Sequence, residues 1–355
     1  MSSGKNRRRR GKSQRPIRNP VQNKANSTQA VRSLYDAVVE GREYESLIAS
    51  GVAKFDPILD IRRALVDIQN IRGRPLLIYA GNTVSSSAGP LTAITTDDDL
   101  PFIEMVQSVP DGIDAVDILL VTPGGMGSQV AQFVEAIRRR FSDVAFLLPH
   151  LAMSAGTIWA LSGNEIIMDE RAFIGPIDPQ MPGKSGHFVP LQSIQVLIKI
   201  IQDRGAQALA AKKQPDWSDV HILQSLDPKE IGNSFSASNY AIQLASTYLY
   251  NHKFRDWDHH RDGRVVTDQE KQDRSQEIAQ LLCKHDHWKA HSHGISREVA
   301  WKEIQLKITH PESIKGLLPA LRRLWSIMYY TFQPTEIHKI FISENYSIIR
   351  QKQIA

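Results

Sequence analysis

Ser154 stands in the run Pro149-His150-Leu151-Ala152-Met153-Ser154-Ala155-Gly156-Thr157, and some thirty residues earlier the chain reads Thr122-Pro123-Gly124-Gly125. Each run can supply one half of an acyl-transfer site. A serine flanked by small residues where a helix begins has an accessible hydroxyl, and the Ala155 N–H that follows it can point into the same space. Glycines after a strand let the backbone turn sharply and present N–H groups, which favour negative charge. Together the runs describe a nucleophile beside an oxyanion hole built from Ala155 and either Gly124 or Gly125. Taken singly, each has a plainer reading. A serine at a helix start is ordinarily an N-cap, and a Gly-Gly pair is ordinarily a turn. What raises the chemical reading is their joint occurrence, each after an apolar strand.

The surrounding pattern is strand, helix, strand. Leu76–Ala80, Ala115–Val121, Val144–Leu148 and Glu165–Met168 are short apolar runs, as expected of buried strands. Between them Ser128–Phe141 repeats its apolar residues at helical spacing, and Ser154–Leu161 reads as a short helix. Such alternation predicts a largely parallel sheet covered by helices. Residues 31–70 read as helical with a break near Pro57, and Asp97–Ser108 as a helix opened by acidic residues. Further helices are expected at Leu191–Ala211, Asn233–Tyr250, Asp273–Cys283, Ser296–Glu303 and Leu317–Tyr330, with a polar loop over Asn251–Asp273.

Three blocks carry a family resemblance: LLVTPGGMGSQVAQFVEAIRR (119–139), LLPHLAMSAGTIWALSGNEIIMDERAFIGPIDPQ (147–180) and HSHGISREVAWKEIQL (291–306). With them the chain resembles the serine dehydrogenase proteinases, relatives of the Clp-type and signal-peptide-peptidase-like serine peptidases that share the crotonase-like fold. The resemblance implies an α/β, Clp protease/crotonase-like fold, with a helical N-terminal segment and a helical C-terminal extension. It implies an ATP-independent serine endopeptidase acting on polypeptides, with Ser154 as nucleophile and the Gly125 and Ala155 N–H groups as oxyanion donors. Gly124 would line the site. Self-association into a homo-oligomer is expected from the same likeness.

A serine hydroxyl needs a base. In the triad relatives a histidine follows the serine by about two dozen residues. Here that place holds Gly175-Pro176-Ile177-Asp178-Pro179-Gln180, with no histidine. In the dyad relatives a lysine lies farther on, and Lys199 and Lys184 are the candidates, with His187 between them. A lysine base must be desolvated to lower its pKa. Lys199 sits among Val196, Leu197, Ile198, Ile200 and Ile201, which could provide that, although it fits the solvated face of an amphipathic helix equally well. Lys184 lies in Pro182-Gly183-Lys184-Ser185-Gly186. His150, the pair Lys212-Lys213 or no base at all remain alternatives. His150 and Asp178 are expected to line the site rather than to react.

Four histidines fall in His285–His293, but their spacing matches no structural zinc pattern, and no metal is expected. Gly124-Gly125-Met126-Gly127 lacks the Lys-Ser/Thr of a phosphate-binding loop and the full dinucleotide fingerprint, so no cofactor is expected. Two rivals stand beside the peptidase. One is a scaffold that kept the fold and lost activity. The other is acyl-thioester chemistry, which uses two N–H groups without a serine.

Charge divides the 355 residues. Of 43 Lys+Arg, ten precede Tyr35, where no acid occurs, leaving 33 against 38 Asp+Glu and a net −5 for the remainder. Residues 1–30 therefore read as a disordered basic arm, able at most to touch nucleic acid or an anionic surface weakly. Residues 31–310 read as the peptidase domain and 311–355 as the extension. The single cysteine, Cys283, excludes an intramolecular disulfide framework. No run of 18 apolar residues suggests a membrane span, and a cytoplasmic location is expected.

Overall fold

The computed structural model describes residues 33–52, 54–182 and 188–352. The basic arm lies outside them.

Ten strands occur in the described residues: β1 (Leu76–Gly81), β2 (Ala115–Val121), β3 (Asp143–Leu148), β4 (Leu151–Ala152), β5 (Glu165–Met168), β6 (Phe173–Ile174), β7 (Gln180–Pro182), β8 (Phe188–Pro190), β9 (Ile337–Ile342) and β10 (Ser347–Gln351). Six of them form one twisted sheet in the order β10-β9-β1-β2-β3-β5. The β1, β2, β3 and β5 pairings are parallel, with Ile78 opposite Leu119 and Phe146 opposite Ile166. Strand β9 joins β1 antiparallel, with Tyr79 opposite Phe341, and β10 folds back on β9.

Both faces of the sheet are covered, which explains why its strands read as continuous apolar runs. Side chains alternate across the sheet. Leu77, Tyr79, Ile118 and Leu120 enter one core with Phe102, Phe133 and Trp159, from the helices Asp99–Gln107, Gly127–Arg138 and Ala155–Leu161. Leu76, Ile78, Leu119 and Val121 enter the other core with Ile61, Leu65, Leu324 and Ile327, from the helices Pro57–Arg72 and Leu317–Phe332. Tyr79, Phe102, Phe133 and Trp159 form an aromatic cluster, with Tyr79 and Trp159 edge to face at 5.1 Å between centroids.

The predicted break near Pro57 is a helix start. Asp56 caps it by accepting from the Ile58 and Leu59 N–H groups, and Gly73 ends the helix at φ 68°. The helix expected from Asn233 begins earlier, at Pro228, capped by Asp227. The expected polar loop ends at Thr267, which opens the helix Asp268–Cys283 with a capping box. Of residues 311–355, expected as a helical extension, those described are helical only through Phe332, and later ones supply β9 and β10. Ile340, Phe341 and Ile342 are buried there and pair with β1, and Ile337, opposite Gln351 of β10, is buried too. A short apolar run of this kind does not distinguish strand from helix on its own. No helix among the described residues is long and apolar enough to cross a membrane.

Candidate active site

Ser154 sits where β4 passes into the helix Ala155–Leu161, beyond the carboxyl ends of β2 and β3. Strand β4 pairs parallel with β6, and a bridge joins Thr122 to Ala152. The Thr122 N–H donates to the Leu151 carbonyl at 2.8 Å, and the Met153 N–H donates to the Thr122 carbonyl at 3.0 Å. These bonds lay the end of β2 alongside the end of β4, which brings Gly124 and Gly125 to Ser154. The contact is close. A Cβ on Gly124 would lie 2.8 Å from the Met153 carbonyl oxygen and 2.8 Å from the Ser154 Cβ.

Ser154 adopts φ 50° and ψ −117°. An L-residue rarely holds that geometry, and it costs on the order of 1–3 kcal/mol. It resembles in kind the sharp strand-to-helix turn that lifts a nucleophile's oxygen clear of the sheet. The hydroxyl makes no capping hydrogen bond, which removes the plainer N-cap reading. Thr157 supports the turn from beneath. Its buried Oγ1 accepts the Gly175 N–H at 2.9 Å and lies 2.8 Å from the Ala152 carbonyl oxygen.

Both glycines of the turn use their freedom, Gly124 at φ 106° and Gly125 at φ 144°. The Gly124 N–H is taken by Thr122 Oγ1 at 3.1 Å. Its carbonyl accepts the Ile94 N–H at 2.8 Å, and the Ile94 carbonyl accepts the Met126 N–H at 2.9 Å. Gly125 lies between these two bonds. Neither its N–H nor that of Ala155 donates a hydrogen bond among the described residues.

The base candidates fare differently. Lys199 does not occupy a desolvated pocket. Its side chain is 76% exposed and pairs with Asp203 at 3.5 Å, one turn along the same helix, so the apolar neighbours in sequence turn away from it. Lys184 and His187 lie outside the described residues. His150 stacks on Trp325, ring centroids 4.9 Å apart, and burial lowers its pKa. No hydrogen bond connects it with Ser154 among the described residues. Lys212 follows the exposed end of the Leu191–Ala210 helix and has a positive φ.

Asp178 is fully buried and accepts from two histidines, His285 Nδ1 at 3.1 Å and His291 Nδ1 at 2.9 Å. The histidine-rich run is thus tied to the segment that follows β6, and the bridge between Ile174 and Ile295 strengthens that tie. Cys283 lies close by, hydrogen-bonded to Gln192 at 3.3 Å. Burial, then the Asp178 charge, pushes its thiol up to about 12, so it stays protonated and unreactive. Sequence reasoning noted the histidines and the aspartate separately. Their pairing spans over a hundred residues and has no local signal. The same holds for Ile94, whose contact with Gly125 nothing in its surroundings announces. Among the described residues no group of three or more His, Cys, Asp or Glu is placed to hold a metal ion.

Residues 78–210 match the family described as ClpP-like SDH-type serine proteinases. An uncharacterised protein of Methanocaldococcus jannaschii is 26% identical over 227 residues, 63% of this chain and 64% of that protein. A second from the same organism is 34% identical over 88 residues, 25% of this chain and 30% of its own length. The chain therefore spans less than two thirds of either curated relative. Among solved structures, a mutant of the 1510-N membrane-bound stomatin-specific protease in complex with a substrate peptide is 18% identical. It covers 60% of this chain and 67% of its own, with a TM-score of 0.34. Strands β2 to β6, the glycine turn and Ser154 all fall within the segment that is similar to the ClpP-like SDH-type serine proteinases.

Proposed function

We propose that the protein is a serine endopeptidase in which Ser154 attacks the scissile carbonyl of a polypeptide. The observation that carries this reading is the pairing of an uncapped serine at φ 50° with two N–H groups, on Gly125 and Ala155, that lack partners among the described residues. As the carbonyl oxygen becomes an oxyanion, those donors stabilise it. One such donor is typically worth roughly 3 kcal/mol in the transition state. The serine proton passes to a base, the leaving amine takes a proton, and water releases the acyl-enzyme.

Lys199 stands in solvent and His150 against Trp325, which leaves Lys184 and His187 as base candidates, and of these we propose the lysine on the strength of the likeness to the dyad relatives. No nucleotide or metal enters the scheme. A homo-oligomer remains part of the proposal on the strength of the family likeness, and a cytoplasmic setting on the single cysteine.

A fluorophosphonate probe tests the reading, because it requires an activated serine and an oxyanion hole but no known substrate. Wild-type protein is expected to label, and Ser154→Ala to lose labelling. Lys184→Ala is expected to slow it by about 10² to 10⁴. A folded wild-type protein that fails to label would favour a non-catalytic scaffold, the reading supported by the lack of a hydrogen-bonded base on Ser154 among the described residues.

A further inference from the structure

Strand β9 carries a lysine where the sheet is buried. Lys339 is 2% exposed, and its partner Asp98 is fully buried. A buried ammonium is costly unless every donor is used, and here all are. Nζ lies 2.7 Å and 2.6 Å from the two Asp98 carboxylate oxygens and 2.6 Å from the Ala93 carbonyl oxygen. Asp98 also accepts from the Tyr79 hydroxyl at 2.8 Å, the Thr95 N–H at 3.0 Å and Arg350 of β10 at 3.2 Å. One ammonium thus grips the loop at two points, residues 93 and 98.

Ile94 follows directly on the first point of that grip. Its N–H and carbonyl form the two bonds that bracket Gly125, to the Gly124 carbonyl and from the Met126 N–H. The fit is tight enough that a Cβ on Gly125 would come within 2.5 Å of the Ile94 nitrogen. The same loop presses on β1, where a Cβ on Gly81 would come 2.7 Å from the Thr92 carbonyl oxygen. Fixing Ile94 therefore fixes which way the Gly125 peptide faces, and with it the direction of its free N–H.

We propose that Lys339 is a positioning residue for the oxyanion hole, acting from the C-terminal strand through Ala93, Asp98 and Ile94 on Gly125. The proposal deepens the peptidase reading and rests on it for its catalytic consequence. If stability alone were at stake, an apolar side chain would serve β9 as well as a buried ion pair does. The charge instead fixes geometry. Lys339 touches no reacting atom.

The test uses Lys339→Met in the full chain, together with Lys339→Met/Asp98→Asn. In the double variant both charges are removed, and the fold survives even if the single variant leaves Asp98 poorly matched. Native-state hydrogen exchange at the Met126 amide reports the Ile94–Gly125 clamp, and the β2 amides from Ile118 to Val121 report the sheet. Met126 is expected to exchange at least about tenfold faster while β2 keeps its protection. Fluorophosphonate labelling is expected to slow by roughly a hundredfold. With a peptide substrate kcat is expected to fall and KM to hold. Wild-type exchange at Met126 in a folded variant would overturn the proposal, and so would equal acceleration at Met126 and β2. If wild-type protein does not label at all, the peptidase reading fails, and the exchange measurement alone still decides whether Lys339 holds the turn.

Discussion

A Cβ on Gly156 would overlap the Cγ2 methyl of Thr122. Thr122 cannot retreat, because its N–H and carbonyl are committed to Leu151 and Met153. The close approach of helix Ala155–Leu161 to the end of β2 therefore depends on a hydrogen at position 156. Gly156→Ala should cost about 1–3 kcal/mol in urea unfolding, as overpacking does. It should also slow labelling of Ser154, because the proposed oxyanion donors, Gly125 and Ala155, sit on the two segments being pushed apart. Unchanged stability and labelling would show that the packing there is loose.

Asp178 offers a second test. Its carboxylate receives one imidazole on each oxygen. In Asp178→Asn the amide keeps one acceptor oxygen and presents N–H groups to the other histidine. One buried donor is then left without a partner, at a cost of about 1–3 kcal/mol. The urea midpoint should fall accordingly, and nitrogen-15 spectra should show a changed tautomer for His285 or His291. Wild-type values for both measurements would mean that the histidine segment is held by the Ile174–Ile295 bridge and apolar contacts alone.

These two positions also show where the sequence was readable and where it was not. Strands β1, β2, β3 and β5 were legible because burial on both faces leaves uninterrupted apolar runs. Ser154 and the Gly124-Gly125 turn were legible because turn chemistry is local and both follow such a run. Strand β9 was not, since Lys339 interrupts its apolar pattern and its partner β1 lies some 260 residues away. Lys199 misled because apolar neighbours on a helix alternate between faces, so a residue among them can still point to solvent. Asp178 with His285 and His291, and Ile94 with Gly125, are tertiary pairings that only the folded chain reveals.

His252 supplies a prediction about pH. Burial first, then the positive charges of Arg138 and Arg255, lowers its pKa from 6.5 to about 4. Between those values the unfolded chain binds a proton there and the folded chain does not. Stability therefore rises with pH across that window and is lost as pH falls below the ordinary value. His252→Gln should flatten the dependence of the urea midpoint on pH between about 4 and 6.5. Some slope should remain, because burial also lowers the pKa of His150 and His338. A slope identical to wild type would show that His252 is solvated in the folded protein.

The strained turn at Ser154 predicts a trade between stability and chemistry. The residue holds φ 50° and ψ −117°, which a glycine adopts without the steric cost that a Cβ imposes. Ser154→Ala removes the hydroxyl and keeps the Cβ, so the strain should remain and stability should stay near wild type. Ser154→Gly removes both. It should be the more stable of the two variants by about 1 kcal/mol in urea unfolding, after the greater freedom of glycine in the unfolded chain is set against the released strain. Neither should label with a fluorophosphonate. The comparison between the two variants isolates the backbone from the hydroxyl, since the hydroxyl makes no capping bond that either could lose. If Ser154→Gly proves less stable than Ser154→Ala, the turn is not strained and its geometry needs another cause. If it proves more stable, the fold sacrifices stability to hold a serine where only a glycine sits at ease, as expected of a position kept for its oxygen.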